Sequence, residues 1–185
     1  MSKKEADIFC PTSQTDWRIW LMENHDKKQS VWLIFFRKST GIPSLTWSEA
    51  VDEALCFGWI DSTKKSIDAQ RYIQYFSRRK PKSTWSKVNK DKVKLLIDNG
   101  LMTNVGLKCI EIAKENGTWT ILDDVENLVI PDDLAKALKE NNAMEYFQNL
   151  TKSVKKMMLH RVLFAKRLET KKKRIAEIVE ELSEK

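Results

Sequence analysis

The chain has 185 residues, 42% of them hydrophobic and 32% charged, a balance typical of a soluble globular domain with or without a helical extension. No apolar run reaches the roughly 18 residues that cross a bilayer, and the first residues lack the apolar core of a signal peptide, so we expect a cytoplasmic protein that does not span a membrane. The three cysteines and two histidines show no metal-ligand spacing, which argues against zinc and against a disulfide framework.

The first part of the chain alternates helical and extended patterns. A helix capped by Ser13 or Thr15 is predicted first, and the apolar run 31–37 is predicted as a buried strand. The clearest helical pattern covers residues 45–57 and ends at Gly58, where the chain can turn. Helix, strand and helix in this order favour a layer of helices packed on a sheet.

Two further strands complete the predicted sheet, one opening at residues 59–61 and one over residues 71–77, with a polar loop between them. Everything after them has helical periodicity. We therefore predict an α+β fold, with a small, mostly antiparallel sheet and helices in residues 1–82 and an all-helical C-terminal part, residues 83–185, packed on it as one compact unit.

The C-terminal part contains several helical stripes. They are predicted before Gly100, from Thr103 or Asn104 to Ala113, after Pro131, and from Thr151 onward. A straight helix over the last stripe would be about 50 Å long at 1.5 Å per residue. We therefore expect a bend near Glu169 and Thr170.

Positive charge is concentrated in two segments of a chain whose net charge is +7. Residues 64–94 hold eleven lysines and arginines against two aspartates, and residues 151–174 hold ten against one glutamate. Segments of this kind attract nucleic acid, anionic lipid or acidic proteins. Lysine-rich solvated faces are the alternative interpretation.

Catalytic candidates are few. Asp61 follows an apolar stretch and precedes Lys64 and Lys65, so we expect it to be partly buried and ion-paired, with either a structural or a catalytic role. Glu49 is a weaker candidate, and Cys56 is expected to be an inert core thiol. There is no serine elbow, phosphate-binding glycine loop or paired-histidine motif, so no cofactor or metal is expected and an enzyme is unsupported.

Binding candidates are more numerous, because cations, an aromatic strand and a helix start follow one another. Guanidinium groups beside ring faces and a helix N-terminus are used to recognise carboxylates and phosphates. For Trp85, a role in packing is the alternative interpretation. The predicted anion- or partner-binding residues are Arg78, Arg79, Lys80, Trp85, Ser86 and Asn89.

Several motifs together resemble a known family. They include Trp17 and Trp20 in the first helix, the string EAVDEALCFGWID over residues 49–61, Ser-Thr-Trp-Ser over residues 83–86, and Ala-Lys-Arg over residues 165–167. The chain resembles the YdeI/OmpD-associated, or bacteriocin-protection, family over nearly its whole length. The resemblance implies protection against bacteriocins or antimicrobial peptides and association with an outer-membrane porin, and it supplies no catalytic residues.

These observations favour a non-enzymatic bacterial protein that binds an anionic ligand or partner through residues 78–89, in bacteriocin, antimicrobial-peptide or stress resistance. One alternative is a small-molecule enzyme that uses Asp61 and Glu49, with Arg78 or Arg79 holding an acidic substrate. A second is a nucleic-acid-binding protein. A third is that the basic C-terminal helix is a dimerisation helix, giving a homodimer, or a helix that binds a partner.

Overall fold

The chain forms two compact units, Met1–Thr120 and Ile121–Lys185, and the computed structural model describes residues 7–183. The fold is α+β, as predicted. All strands in the described part of the chain lie in the first unit, whereas helices occur in both units.

One four-stranded sheet forms the centre of the first unit, in the order β1-β2-β4-β3. Its strands are β1 (Asp7–Phe9), β2 (Ser30–Phe36), β3 (Trp59–Ser66) and β4 (Arg71–Arg78). The β2–β4 and β3–β4 pairs are antiparallel, whereas β1 runs parallel to β2. The mostly antiparallel sheet is therefore confirmed. β1 was not predicted from the sequence, and residues 62–66, which extend β3, were predicted to lie in a loop.

Buried and less buried side chains alternate along the strands because the two faces of the sheet have different surroundings. On one face, here called the inner face, Val31, Leu33 and Phe35 of β2 are fully buried. Their register partners on β4 are Phe76, Gln74 and Tyr72. Side chains that oppose each other across an antiparallel pair point to the same face, so these six residues share the core side of the sheet.

Four capped helices complete the first unit: α1 (Gln14–Asn24), α2 (Trp47–Cys56), α3 (Lys87–Asp98) and α4 (Asn104–Glu115). Ser13 caps α1, and Thr46 forms a capping box with Glu49 at the start of α2. The indole Nε1–H of Trp17 in α1 donates to the carbonyl of Ala50 in α2 at 3.1 Å. The Trp17 ring also lies 5.6 Å from the ring of Phe76, which places α1 on the inner face.

The second unit is helical throughout its described residues. Its helices are α5 (Asp123–Glu126), α6 (Asp132–Glu140), α7 (Met144–Asn149), α8 (Lys152–Leu163) and α9 (Leu168–Ser183). Their apolar faces enclose a second core that includes Leu134, Leu138, Phe147, Leu159 and Ile178. The short helices α5 and α7 were not predicted.

The long C-terminal stripe is two helices rather than one bent helix. The break covers residues 164–167, a few residues before the predicted bend at Glu169 and Thr170. Across it, the guanidinium of Arg174 donates to the carbonyl of Arg161 at 2.6 Å. Arg161 in turn pairs with Glu177 and Glu181 of α9, so α8 and α9 pack side by side.

Candidate functional site

The candidate site lies where β4 ends beside the start of β3. Arg78 is the register partner of Trp59, and the backbone N–H of Arg79 donates to the carbonyl of Gly58 at 2.9 Å. Gly58 has a φ of +69°, a left-handed conformation that ends the α2 segment and is costly for residues with a Cβ. The sheet register and this turn therefore fix the positions of both arginines.

A cavity of about 180 Å³ opens at this point in the first unit. Its lining includes His25, Gly58, Trp59, Arg78, Arg79 and Cys109. These residues come from the end of α1, the α2–β3 turn, the end of β4 and α4. Four distant parts of the sequence thus meet around one small space that two arginine residues help to line.

Arg79 is the most unusual residue of the cavity. Only 8% of its surface is exposed, and its Nη1 donates to the carbonyl of Thr84 at 2.8 Å. Its guanidinium carbon lies 3.6 Å from the ring centroid of Trp85, a cation–π contact. Its Nε and Nη2 are buried and find no acceptor among the described residues. Burial lowers the pKa of Arg79 to about 10, so the group is still a cation at neutral pH.

Arg78 adds a third unpaired nitrogen. Its Nε donates to the carbonyl of Lys28 at 2.9 Å, whereas its Nη2 is buried without an acceptor in the described chain. Within residues 7–183 no carboxylate forms an ion pair with Arg78 or Arg79. A buried donor without an acceptor costs about 1–3 kcal/mol, and more when it is charged. Three such nitrogens therefore lie on two adjacent residues that line one cavity.

The other polar groups of the cavity do not neutralise this charge. Nδ1 of His25 lies 2.9 Å from the carbonyl of Leu21, and since a carbonyl only accepts, this nitrogen carries the proton. Burial raises the pKa of the Cys109 thiol, and the Arg79 charge partly offsets the rise. The thiol is therefore neutral at physiological pH. Asp26 also lines the cavity, but it is exposed and pairs with neither arginine.

The structure separates the predicted binding residues into three groups. Arg78 and Arg79 line the cavity, and Trp85 lies buried beneath Arg79. Ser86 caps α3: its hydroxyl accepts a hydrogen bond from the backbone N–H of Asn89 at 3.2 Å, so the Ser86 side chain stabilises the start of the helix. Lys80 is exposed.

The two carboxylates proposed for catalysis lie elsewhere. Oδ2 of Asp61 accepts hydrogen bonds from Nε1 of Trp47 at 2.9 Å and from Nε2 of Gln74 at 3.0 Å, and Asp61 is not among the residues lining the cavity. Glu49 completes the capping box with Thr46, whose hydrogen bonds lower the pKa of this carboxyl. Among the described residues neither carboxylate forms an ion pair with Arg78 or Arg79. Burial lowers the pKa of Arg79, but the negative charge of Asp61 raises it and so offsets part of that lowering.

The ion pair expected between Asp61 and its neighbouring lysines is absent from the described residues. Nζ of Lys64 lies 4.0 Å from the ring centroid of Tyr72. Nζ of Lys65 lies 4.9 Å from that of Trp32. Both cations therefore contact aromatic faces instead of the carboxylate.

Of the nine residues that line the cavity, only Arg78 and Arg79 were predicted as binding residues, and those missed include His25, Gly58 and Cys109. Gly58 was recognised as a helix end, but nothing in the sequence says that the turn faces α4. A Cβ at Gly58 would lie 2.5 Å from Sγ of Cys109, which shows how closely α4 approaches the turn. Tertiary contacts between residues 51 positions apart leave no local signal.

In residues 7–183 no helix is both long and apolar enough to span a bilayer. The same residues contain no cluster of three or more histidine, cysteine, aspartate or glutamate side chains that could hold a metal ion.

Comparison with known families divides the chain as follows. Residues 9–109 match the model of a domain of unknown function, DUF8412, and since this match covers more than half of the chain, the protein belongs to that domain family. Residues 127–185 match the model described as Bacteriocin-protection, YdeI or OmpD-Associated. The resemblance to that family is confirmed over this C-terminal part, whereas the string EAVDEALCFGWID lies within the DUF8412 match. No curated protein and no solved structure matches the chain.

Proposed function

We propose that this protein binds a small ligand carrying a carboxylate or phosphate group, and that the cavity beside Arg78 and Arg79 holds it. One observation carries the proposal: Nε and Nη2 of Arg79 and Nη2 of Arg78 are buried without acceptors in the described chain. An oxyanion supplies the acceptors and the negative charge that these groups lack.

The chemistry of the two arginines suits an oxyanion better than a neutral ligand. A guanidinium group presents a planar fork of donors that matches carboxylate and phosphate oxygens. Arg79 is already held by the Thr84 carbonyl and by the Trp85 ring. Binding therefore costs little side-chain entropy, which favours affinity.

The size of the cavity limits the ligand. Pockets for drug-sized molecules span about 300–1,000 Å³, and this cavity of about 180 Å³ is smaller. It suits a small anion or the acidic end group of a larger molecule. Apolar parts of such a ligand would contact Phe57, Trp59 and Val105, which also line the cavity.

The ligand is bound rather than transformed in this proposal. The Cys109 thiol, whose pKa burial raises, is a poor nucleophile, and neither Asp61 nor Glu49 lines the cavity. The description of the family matched by residues 127–185 suggests a role in protection against bacteriocins. We infer that anion binding serves such a resistance function, so a variant that cannot bind the anion should fail to restore resistance in cells that lack the protein.

The binding proposal is tested by measuring thermal unfolding with acetate, succinate and phosphate, and with acetamide as the neutral control. A bound anion at 100 times its Kd stabilises the fold by about 2.7 kcal/mol, whereas acetamide should not. The Arg79→Lys variant keeps the positive charge but loses the planar set of guanidinium donors. We therefore expect its affinity for the anion to fall roughly 10- to 150-fold, equivalent to about 1.5–3 kcal/mol for a charged hydrogen bond.

The matched control is Lys80→Ala, which removes the neighbouring but exposed cation. It should bind the anion almost as the wild type does. Equal losses in Lys80→Ala and Arg79→Lys would show only general attraction to positive charge and would contradict the proposed site. So would the absence of any anion that raises the unfolding temperature.

A further inference from the structure

The second face of the sheet, here called the outer face, is apolar and only partly covered. Because α1 and α2 pack on the inner face, the alternate residues of each strand point away from them. Ile8 of β1 is 66% exposed, and the apolar outer-face residues of β2 and β4 are half-buried and do not pack against the core of the first unit, whereas Ile60 of β3 does. The apolar residues of the outer face on the three adjacent strands β1, β2 and β4 are Ile8, Trp32, Ile34, Phe36, Ile73 and Tyr75.

Two aromatic rings lie at the centre of this face. Trp32 and Tyr75 are register partners on β2 and β4, and their ring centroids are 4.9 Å apart at an interplanar angle of 61°. Both residues are half-buried, so parts of the two rings remain accessible on adjacent strands. Accessible aromatic rings in this arrangement offer surfaces on which nucleic-acid bases stack. Each base has a ring face, so this contact does not depend on sequence.

The charges of the outer face have one sign. Lys65, the register partner of Ile73, places its Nζ 4.9 Å from the Trp32 centroid. Arg71, the register partner of Phe36, lies two residues from Ile73 on β4, at the same end of the face as Lys65, and pairs with Asp68 of the β3–β4 loop. No aspartate or glutamate of the described strands occupies an outer-face register position. The face thus combines stacking surfaces with cations, a combination that suits a polyanion carrying aromatic bases.

We propose that the outer face binds single-stranded nucleic acid. Bases stack on Trp32 and Tyr75, and phosphates contact Lys65 and, at the edge, Arg71. Duplex is excluded as the preferred ligand because its bases are already stacked on each other. A second copy of this chain is a poorer occupant, since two such faces would bring lysine toward lysine, and the carboxylate at the edge of each face, Asp68, is already paired with Arg71. This site is separate from the anion cavity, which lies beyond the end of β4.

The test is the fluorescence anisotropy of a short fluorescein-labelled oligothymidylate titrated with the full-length protein at low and at moderate salt. Trp32→Leu and Tyr75→Leu keep an apolar side chain and remove the ring, so each should weaken binding roughly 5- to 150-fold, the range for one stacked base. The matched control is Tyr146→Leu, which removes a 52% exposed ring from the second unit and should bind as the wild type does.

The salt dependence of oligonucleotide affinity distinguishes the loss of a phosphate contact from misfolding of a variant. For single strands, log K falls with log salt by about 0.7 per phosphate contact, so Lys65→Ala should reduce that slope by about 0.7. Lys65 is exposed, and its replacement leaves the core untouched. Arg79→Lys should bind the oligonucleotide as the wild type does, which separates failure of this proposal from failure of the anion site.

Several results would overturn the proposal. They are no saturable binding at low salt, equal affinity of the wild type and both leucine variants, and an unchanged salt slope in Lys65→Ala. Tighter binding of duplex than of single strand would also overturn it. Light scattering that shows a dimer lost in Trp32→Leu would assign the face to a second copy instead.

Discussion

Replacing Gly58 by alanine is the most informative single change at the candidate site. The residue has a φ of +69°, and an added Cβ would lie 2.5 Å from Sγ of Cys109. The left-handed conformation costs about 1–2 kcal/mol for a residue with a Cβ. Forcing the thiol or α4 to move adds about 1–3 kcal/mol of overpacking. We therefore expect Gly58→Ala to lower the free energy of unfolding by about 2–5 kcal/mol.

A matched control separates the two terms. Gly41 has a φ of +67°, and a Cβ built there meets nothing within 4 Å. Gly41→Ala should therefore cost only the backbone term of about 1–2 kcal/mol. Cys109→Ala removes the sulfur, while the Cβ of residue 109 lies 3.6 Å away in ordinary contact. The double variant of Gly58 and Cys109 should thus recover about 1–3 kcal/mol relative to the sum of the single variants.

The assay is urea unfolding at neutral pH. The slope of the unfolding free energy against urea concentration is compared between variants, and a change of midpoint is interpreted only where this slope is unchanged. Anion affinity is measured on the same samples, because Gly58 and Cys109 both line the cavity. We expect Gly58→Ala to weaken anion binding and Gly41→Ala to leave it unchanged. Equal costs for the two glycine variants, or no coupling between Gly58 and Cys109, would refute the close packing of the turn against α4.

Three further predictions concern stability and titration. Arg18→Ala should lower the free energy of unfolding, measured in urea, by about 3–5 kcal/mol, because it removes the cation that lies 2.6 Å from Glu53, whose side chain is only 6% exposed. A cost below about 1 kcal/mol would contradict a stabilising ion pair at this buried carboxylate. Burial raises the pKa of Cys56 to about 11, so iodoacetamide at pH 8 should modify this thiol only after unfolding, as read by mass spectrometry. The hydrogen bonds from Thr46 lower the pKa of Glu49 from its ordinary value of 4.5. The wild type should therefore be more stable than Glu49→Gln above pH 4.5, and this difference should vanish as the pH falls through the lower pKa of the folded state. A stability difference that stays constant from pH 3 to pH 7 would contradict this prediction.

Elements with strong local signals could be predicted from the sequence. The second helix carries a capping box and inward-facing residues at helical spacing, and the structure places α2 over Trp47–Cys56. β1 has only three residues and depends on parallel pairing with β2, so its own sequence gives no signal. The extension of β3 into residues 62–66 depends in the same way on pairing with β4, which outweighed their polar composition.

The candidate site was predicted in part. Arg78 and Arg79 were selected for their charge and their aromatic neighbours. Charge alone does not distinguish Arg79 from Lys80, yet the structure buries the first and exposes the second. The difference arises because the end of β4 turns Arg79 onto Trp85 and toward Gly58, a tertiary effect. Burial without a carboxylate ion-pair partner is the property on which the proposed anion site rests, and only the three-dimensional structure shows that property.

The most direct test of the anion site follows the Nε–H group of Arg79 itself. In a proton–nitrogen NMR spectrum of the arginine side chains, assigned with Arg79→Lys, this signal is observed while phosphate or acetate is added. We predict a saturable downfield shift as the buried Nε–H, which has no acceptor among the described residues, gains an oxyanion. A signal that stays unchanged at every anion concentration, in a protein that remains folded, would contradict anion binding at this cavity.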